Sequence, residues 1–336
     1  MPLPPIRRAP GIIIISLNTI ITATVSLLTG CGGNEDSTSR LNGAGASFPA
    51  AIYTRWFHNL SSKGIKVSYQ SIGSGAGVRQ FVAKTVDFGA SDVPMKDETK
   101  IKVADGVVQI PMTAGAIAVA YNYPGCELEL SQEQLADIFL GKITNFSDVG
   151  CEAKPLKVVH RADSSGTTAN FTAHLAAISP TWENGPGVGK SVTWPTGVGA
   201  KGNEGVAAQL SNLEGGVGYV EAAYVKDPLQ DAALTNESGE RLKPTTETAM
   251  TALSSIDLGP ELTGSNPNPN QGYPIVTFTW VLLYEQGNGA NLEPLKKAFD
   301  YTLSDQAQGM APELGYITLP EEVVNKARAA LKTIKE

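Results

Sequence analysis

The sequence predicts an α/β fold with a ligand cleft between two domains, and three observations predict it. Strand patterns alternate with helix patterns along the chain, which indicates α/β layers around a mainly parallel sheet. The chain has 336 residues, more than one core comfortably holds, so a division into two domains is expected. Three segments of glycine and small hydroxyl residues each follow a predicted strand and open a predicted helix: Gly43–Pro49, Ile72–Gly77 and Arg161–Thr168. A helix start presents unpaired backbone N–H groups and the positive end of the macrodipole, so it holds an anion without a metal. In open α/β sheets ligands bind beyond the carboxyl ends of strands. Two of the segments lie in the first half of the chain and one in the second, which points to a site between domains. One Arg and two Asp nearby suit a small tetrahedral oxyanion.

The first 30 residues read as an export signal. Arg7 and Arg8 form a positive start, and Ile12–Leu28 is a mostly apolar run without charge. Leu28-Thr29-Gly30-Cys31 resembles a bacterial lipobox. That resemblance implies cleavage before Cys31 and lipid attachment to it; an ordinary cleaved signal or an uncleaved membrane helix is the alternative. Residues 31–40 are polar and rich in Gly and Ser, as expected of a flexible tether. Removing residues 1–30 takes away two arginines and moves the formal charge from −7 to −9. An acidic mature chain argues against nucleic acid as a partner. Any anion site must then work by local geometry rather than by net field. Cys126 and Cys151, 25 positions apart in an exported chain, are expected to pair, the alternative being two buried thiols.

The elements follow in order. Leu41–Ala46 reads as a strand, and Pro49 suits the first turn of a helix whose face carries Ile52, Trp56, Phe57 and Leu60. Ile65, Val67 and Tyr69 alternate with polar residues as a strand does. After the Gly73–Gly77 turn, Val78, Phe81, Val82 and Thr85 mark a helix. Val86–Asp92, Val107–Pro111 and Ala116–Tyr121 are further strands. The second unit holds a helix over Gln132–Leu140, a strand over Leu156–His160 and a helix over Thr168–Ile178. Another helix over Glu204–Leu210 and a strand over Gly216–Val220 follow. Gly264–Gly272 is a surface loop by composition. Ile275–Tyr284 is an apolar strand, and Leu292–Leu303 and Pro320–Ile334 are amphipathic helices. The four tryptophans, Trp56, Trp182, Trp194 and Trp280, are read as packing.

At these segments the chain resembles the PstS family, the phosphate-binding proteins of Pst ABC transporters. The resemblance rests on GAGASFPA at Gly43–Ala50, YQSIGSGAG at Tyr69–Gly77 and TVDFGASD at Thr85–Asp92. It continues with FLGKIT at Phe139–Thr144, RADSSGTT at Arg161–Thr168 and GGVGYVE at Gly215–Glu221. One glycine cluster is weak; six in family order across nearly all of the mature chain are specific. The resemblance implies a two-lobed periplasmic-binding-protein fold of type II, with the ligand cleft between lobes joined by two hinge strands. Residues 41–120 and 275–336 would form lobe I, and 121–274 lobe II, with crossings near Ala120–Tyr121 and Pro274–Ile275. It implies inorganic phosphate held by Ser47, Phe48, Ser74, Asp92, Arg161, Ser165, Gly166 and Thr167, with Asp163 positioning Arg161. It also implies a Pst-type permease and ATPase as partners, a lipid anchor on an extracytoplasmic membrane face, and a monomer that needs no cofactor or metal. Ser47 stands where many relatives have Thr, which keeps the hydroxyl. Gly75-Ala76 replaces a common Ser-Gly pair. The two cysteines are not general to the family.

The chemistry follows from residue type. Arg161 offers a planar fork of donors for phosphate oxygens. Ser47, Ser74, Ser165 and Thr167 each donate one O–H. Phe48, Gly166 and Thr167 offer backbone N–H groups. A carboxylate at Asp92 repels an anion unless it accepts a proton from it, and at neutral pH phosphate carries a proton while sulfate carries none. Other classes fit less well. No Gly-x-Ser-x-Gly elbow is present, and His58, His160 and His174 lack metal-ligand spacing, so an esterase or phosphatase is disfavoured. Gly189-Lys190-Ser191 imitates the end of a P-loop, but the leading glycine would fall at Asn184. A phosphate sensor or surface protein on the same fold is the other reading.

Overall fold

The computed structural model describes residues 39–336. The expectations for the signal, for Cys31 and for most of the tether fall outside those residues. Twelve strands organise the described chain. They are β1 (Ser39–Gly45), β2 (Ile65–Ser71), β3 (Phe88–Ser91), β4 (Val107–Asn122), β5 (Glu129–Leu130) and β6 (Lys157–Arg161). The others are β7 (Val198–Ala200), β8 (Gly216–Glu221), β9 (Gln230–Asp231), β10 (Ala233–Thr235), β11 (Arg241–Leu242) and β12 (Val276–Tyr284). A nine-stranded sheet runs β2-β1-β3-β12-β4-β8-β6-β7, with β9 also paired to β4; β11-β10-β5 form a small separate sheet.

The expectation of a mainly parallel sheet is corrected. β1 pairs parallel with β2 and β3, and β6 pairs parallel with β7 and β8. The central strands do otherwise. β12 is antiparallel to β3 and β4, and β4 is antiparallel to β8 and β9. The strand–helix alternation is real within each half. The two long apolar strands that join the halves are not part of any β-α-β unit, so nothing requires them to run parallel.

A second correction concerns β4. Val107–Pro111 and Ala116–Tyr121 are one 16-residue strand rather than two. The small residues Thr113-Ala114-Gly115 look like a break, but they are a packing solution. Ala114 pairs with Phe278 and accepts the Ile317 N–H at 2.8 Å, and Gly115 leaves room for the Phe48 ring. β4 pairs with β12 over Val107–Ala116 and with β8 over Ile117–Asn122. The change of partner thus falls between Ala116 and Ile117. There the Ile117 N–H donates to the Ile275 carbonyl at 2.8 Å, so both connecting segments touch.

Helices cover the sheet as their patterns require. Ala50–Ser61 buries Ile52, Tyr53, Trp56, Phe57 and Leu60, and Trp56 donates its indole N–H to the Ala307 carbonyl at 2.8 Å. Gly166–Ile178 buries Phe171 and Leu175, and Phe171 stacks on Tyr219 with centroids 4.2 Å apart. Trp182 and Trp280 are likewise buried, each with its N–H satisfied by a backbone carbonyl. Leaving any of these donors unpaired would cost about 1–3 kcal/mol. Ser39 and Arg40 already belong to β1 rather than to the preceding tether. Cys126 and Cys151 are disulfide-bonded, with Cα atoms 5.5 Å apart. Closing that loop stabilises by roughly 3 kcal/mol on the chain-entropy account.

Candidate anion site

Six strand ends meet at one place. β1 leads into Ser47, β2 into Ser74 and β3 into Asp92; β6 leads into Arg161–Thr167, β7 into Asn203, and β8 ends in Glu221. This is the carboxyl edge of the parallel parts of the sheet, where ligands of open α/β folds bind. Ser47, Ser74, Asp92, Arg161, Ser165 and Thr167 are all buried, none more than 4% exposed. So many buried polar groups in one cluster are expensive unless each is partnered.

Arg161 is held as a clamp. Its Nε and Nη2 donate to the two Asp163 carboxylate oxygens at 2.7 and 2.6 Å, a bidentate pair. Its Nη1 donates to Thr167 Oγ1 at 3.3 Å. Asp163 also accepts the Gly202 N–H at 3.0 Å. Burial pushes the Asp163 carboxyl up, but the Arg161 hydrogen bonds and charge outweigh it and leave the group below its ordinary value. The pair is therefore neutral in sum and rigid.

Ser74 and Asp92 form the opposite wall. Ser74 Oγ accepts the Gly166 N–H at 3.1 Å and lies 3.4 Å from Asp92 Oδ2. Asp92 Oδ1 accepts from Thr279 Oγ1 at 2.9 Å. Burial raises the Asp92 carboxyl to about 6, and the bonds from Thr279 and Ser74 and the charges of Arg161 and Lys190 only partly offset it. This is a carboxyl near the point of exchanging a proton at neutral pH.

Ser165 caps the Gly166–Ile178 helix by accepting the Thr168 N–H at 3.0 Å, so its own O–H remains a donor. Gly166 and Thr167 are the first two residues of that helix, where backbone N–H groups lack intrahelical partners. The Phe48 ring is buried against Tyr316, and its carbonyl accepts the Tyr316 hydroxyl at 2.7 Å. That fixes the backbone leading into the Ala50–Ser61 helix. His160 faces away from Arg161's guanidinium and stacks on Trp194 at 4.8 Å.

Asn203 belongs to the cluster and was not expected. Its backbone N–H and side-chain amide both donate to Ser47 Oγ, at 3.0 and 2.9 Å. The amide also reaches Thr167 Oγ1 at 3.3 Å, and its oxygen accepts the Glu221 N–H at 3.0 Å. The signal was present: Gly202-Asn203, just after β7, opens a helix over Gly202–Ser211. It lacks the serine and threonine that mark the other three helix starts. Glu221, fully buried, is pushed well above the ordinary glutamate range by that burial. Its Oε2 accepts the Ala223 N–H at 3.0 Å.

Residues 32–306 match the family model of the PBP superfamily domain. The chain is 41% identical over 315 residues to the phosphate-binding protein PstS of Pasteurella multocida, covering 87% of this chain and 90% of that one. It is 40% identical over 316 residues to that of Haemophilus influenzae, with 87% and 92% covered. Among solved structures, the high-affinity periplasmic phosphate-binding protein PfluDING with phosphate bound superposes with a TM-score of 0.74 at 20% identity, covering 86% of this chain and 93% of that one. The architecture is that of the two-lobed periplasmic binding proteins.

Proposed function

The chain belongs to the PstS family of phosphate-binding proteins, and on that premise we propose that it is an extracytoplasmic receptor that binds inorganic phosphate between two lobes and delivers it to an ABC importer. The observation that carries the proposal is the buried Arg161–Asp163 clamp facing Ser47, Ser74, Asp92 and the Gly166 helix start. Ser47, Phe48, Ser74 and Asp92 contribute one side; Arg161, Ser165, Gly166 and Thr167 contribute the other.

Because Asp163 already neutralises Arg161, the anion's charge is met mainly by oriented hydroxyl and N–H dipoles. Asp92 supplies selectivity. Protonated phosphate donates its P–OH to the Asp92 carboxylate. Sulfate has no such proton, and two anions would face each other away from water. An unpaired buried group of that kind costs enough for discrimination of about a thousandfold or more. Arsenate, which is protonated, would be rejected poorly.

The lobes are residues 41–120 with 275–336, and 121–274. The connecting segments beside Ala116–Ile117 and Ile275–Val276 would act as the hinge, since there β4 changes partners. Lipidation of Cys31 would tether the receptor to the membrane as a monomer, next to its permease and ATPase.

The test is calorimetric titration of ligand-stripped mature protein with phosphate, sulfate and arsenate, repeated on Asp92→Asn. Tight phosphate binding at one site, weak sulfate binding, and a narrowed preference in the variant are expected. Absence of phosphate binding by folded protein would overturn the reading.

A further inference from the structure

Beside the anion site lies a cavity of about 760 Å³ that the site's own chemistry does not use. Met95 and Lys96 line it after β3, Asn170, Val188 and Lys190 from the middle of the chain, and Trp280 from β12. Its floor is one layer from the site. Asn170 Nδ2 donates to the Asp92 carbonyl at 2.7 Å and to the Gly166 carbonyl at 3.0 Å. The Lys190 carbonyl accepts the Ser165 N–H at 2.8 Å. The Lys190 ammonium is half-buried in the wall and forms no ion pair among the described residues. Lys96 is exposed, with only a loose contact to Glu98 at 3.9 Å.

An ammonium set into a cavity wall with no carboxylate at ion-pair distance is uncommon, because its desolvation is only partly compensated. Burial does lower the Lys190 group; Asp92 pulls it back up, and the like charge of Lys96 lowers it further. Two cations therefore converge on one cavity in a protein whose formal charge is −7. A small anion approaching such a surface meets net repulsion. A cation set in a concave apolar wall focuses the local field and raises the anion's concentration there.

We propose that this cavity is a second, transient anion site, in which Lys190, with Lys96 across from it, holds inorganic phosphate before it passes to Arg161. The proposal rests on the phosphate reading above and adds a residue that sets the association rate rather than the final affinity. The lining is mainly apolar, with Thr99, Ser265 and Asn266 as its uncharged polar side chains beside Asn170, so the site holds an anion more loosely than the Arg161 cluster does.

The experiment is stopped-flow binding of inorganic phosphate to the mature protein, followed by tryptophan fluorescence at low and high ionic strength. Lys190→Met should lower the association rate at low salt by about threefold or more, with the dissociation rate little changed. The difference should vanish at high salt, and Lys190→Arg should restore the rate. Lys96→Met, at an exposed side chain, should shift the rate the same way and carries the test if Lys190→Met does not fold. An unchanged association rate in the variants, or a loss confined to the dissociation rate, overturns the proposal while leaving the receptor reading intact. No phosphate binding by the unsubstituted protein overturns both.

Discussion

Asp92 concentrates the chemistry of this molecule at one carboxyl. Its folded-state value of about 6 lies above the ordinary aspartate value of 3.8 because burial disfavours the charge. Between those two values the folded chain binds more protons at this site than the unfolded chain does. The site's contribution to stability is therefore full below 3.8 and lost as pH rises through 6. Asp92→Asn removes that dependence. The ligand-free variant should gain on the unsubstituted protein above pH 6, and the difference should shrink by about 2 kcal/mol as pH falls to 4. Denaturant midpoints across that range measure it, and a pH-independent difference would refute the assignment. Asn203 shows a different kind of residue-scale role. It holds Ser47 and Thr167 from one amide, so it sets the orientation of two hydroxyls contributed by distant parts of the chain.

At the scale of elements, the turns do the positioning. The turn after β2 and the turn after β6 meet edge to edge: the Gly75 N–H donates to the Ser164 carbonyl at 2.9 Å. Gly73 makes the approach possible, with φ of 85° and no side chain; a methyl group there would collide with the Asp163 carboxylate. Gly73→Ala should thus hold the two turns apart and weaken phosphate binding at least about tenfold, the loss of one or more hydrogen bonds to a charged group. Calorimetry measures the loss; unchanged affinity would show that the two turns do not need to meet. The glycine cluster is accordingly a contact surface between the two turns as well as a helix start.

At the scale of the whole molecule, one long strand belongs to both halves of the sheet. β4 pairs with β12 through Ala116 and with β8 from Ile117, which is where the hinge is proposed. Buried contacts join the halves, Gly166 N–H to Ser74 Oγ and Asn203 to Ser47 Oγ, and under the proposed hinge they belong to the closed arrangement. Phosphate can favour that arrangement only by binding it more tightly than the open one. X-ray scattering should show a smaller radius of gyration with saturating phosphate than without, and identical profiles would exclude hinge closure. The net acidity of the chain makes a local cation such as Lys190 useful to the approach of an anion.

The local grammar of this protein lies in short stretches of its chain. The period of two in Ile65–Tyr69, the helical face of Ile52, Trp56, Phe57 and Leu60, and the hydroxyl-glycine turns are set by neighbours in the chain. Short-range sterics and backbone hydrogen bonding suffice to fix them. The pairing of Arg161 with Asp163 was implied by the family resemblance, and the structure shows it as a bidentate side-chain ion pair. The direction in which strands run, and the residues that complete the site, come from long-range packing. The antiparallel course of β4 and β12 depends on which strand lies beside which, and the joining of two read strands into β4 depends on packing against Phe48 and Ile317. Asn203 enters the site because the turn after β7 is carried to Ser47, 156 positions away in the chain. The value of Asp92 depends on its burial, which is a property of everything packed around it. Local pattern specifies each piece; burial and long-range pairing act between pieces, and no window of the sequence contains them.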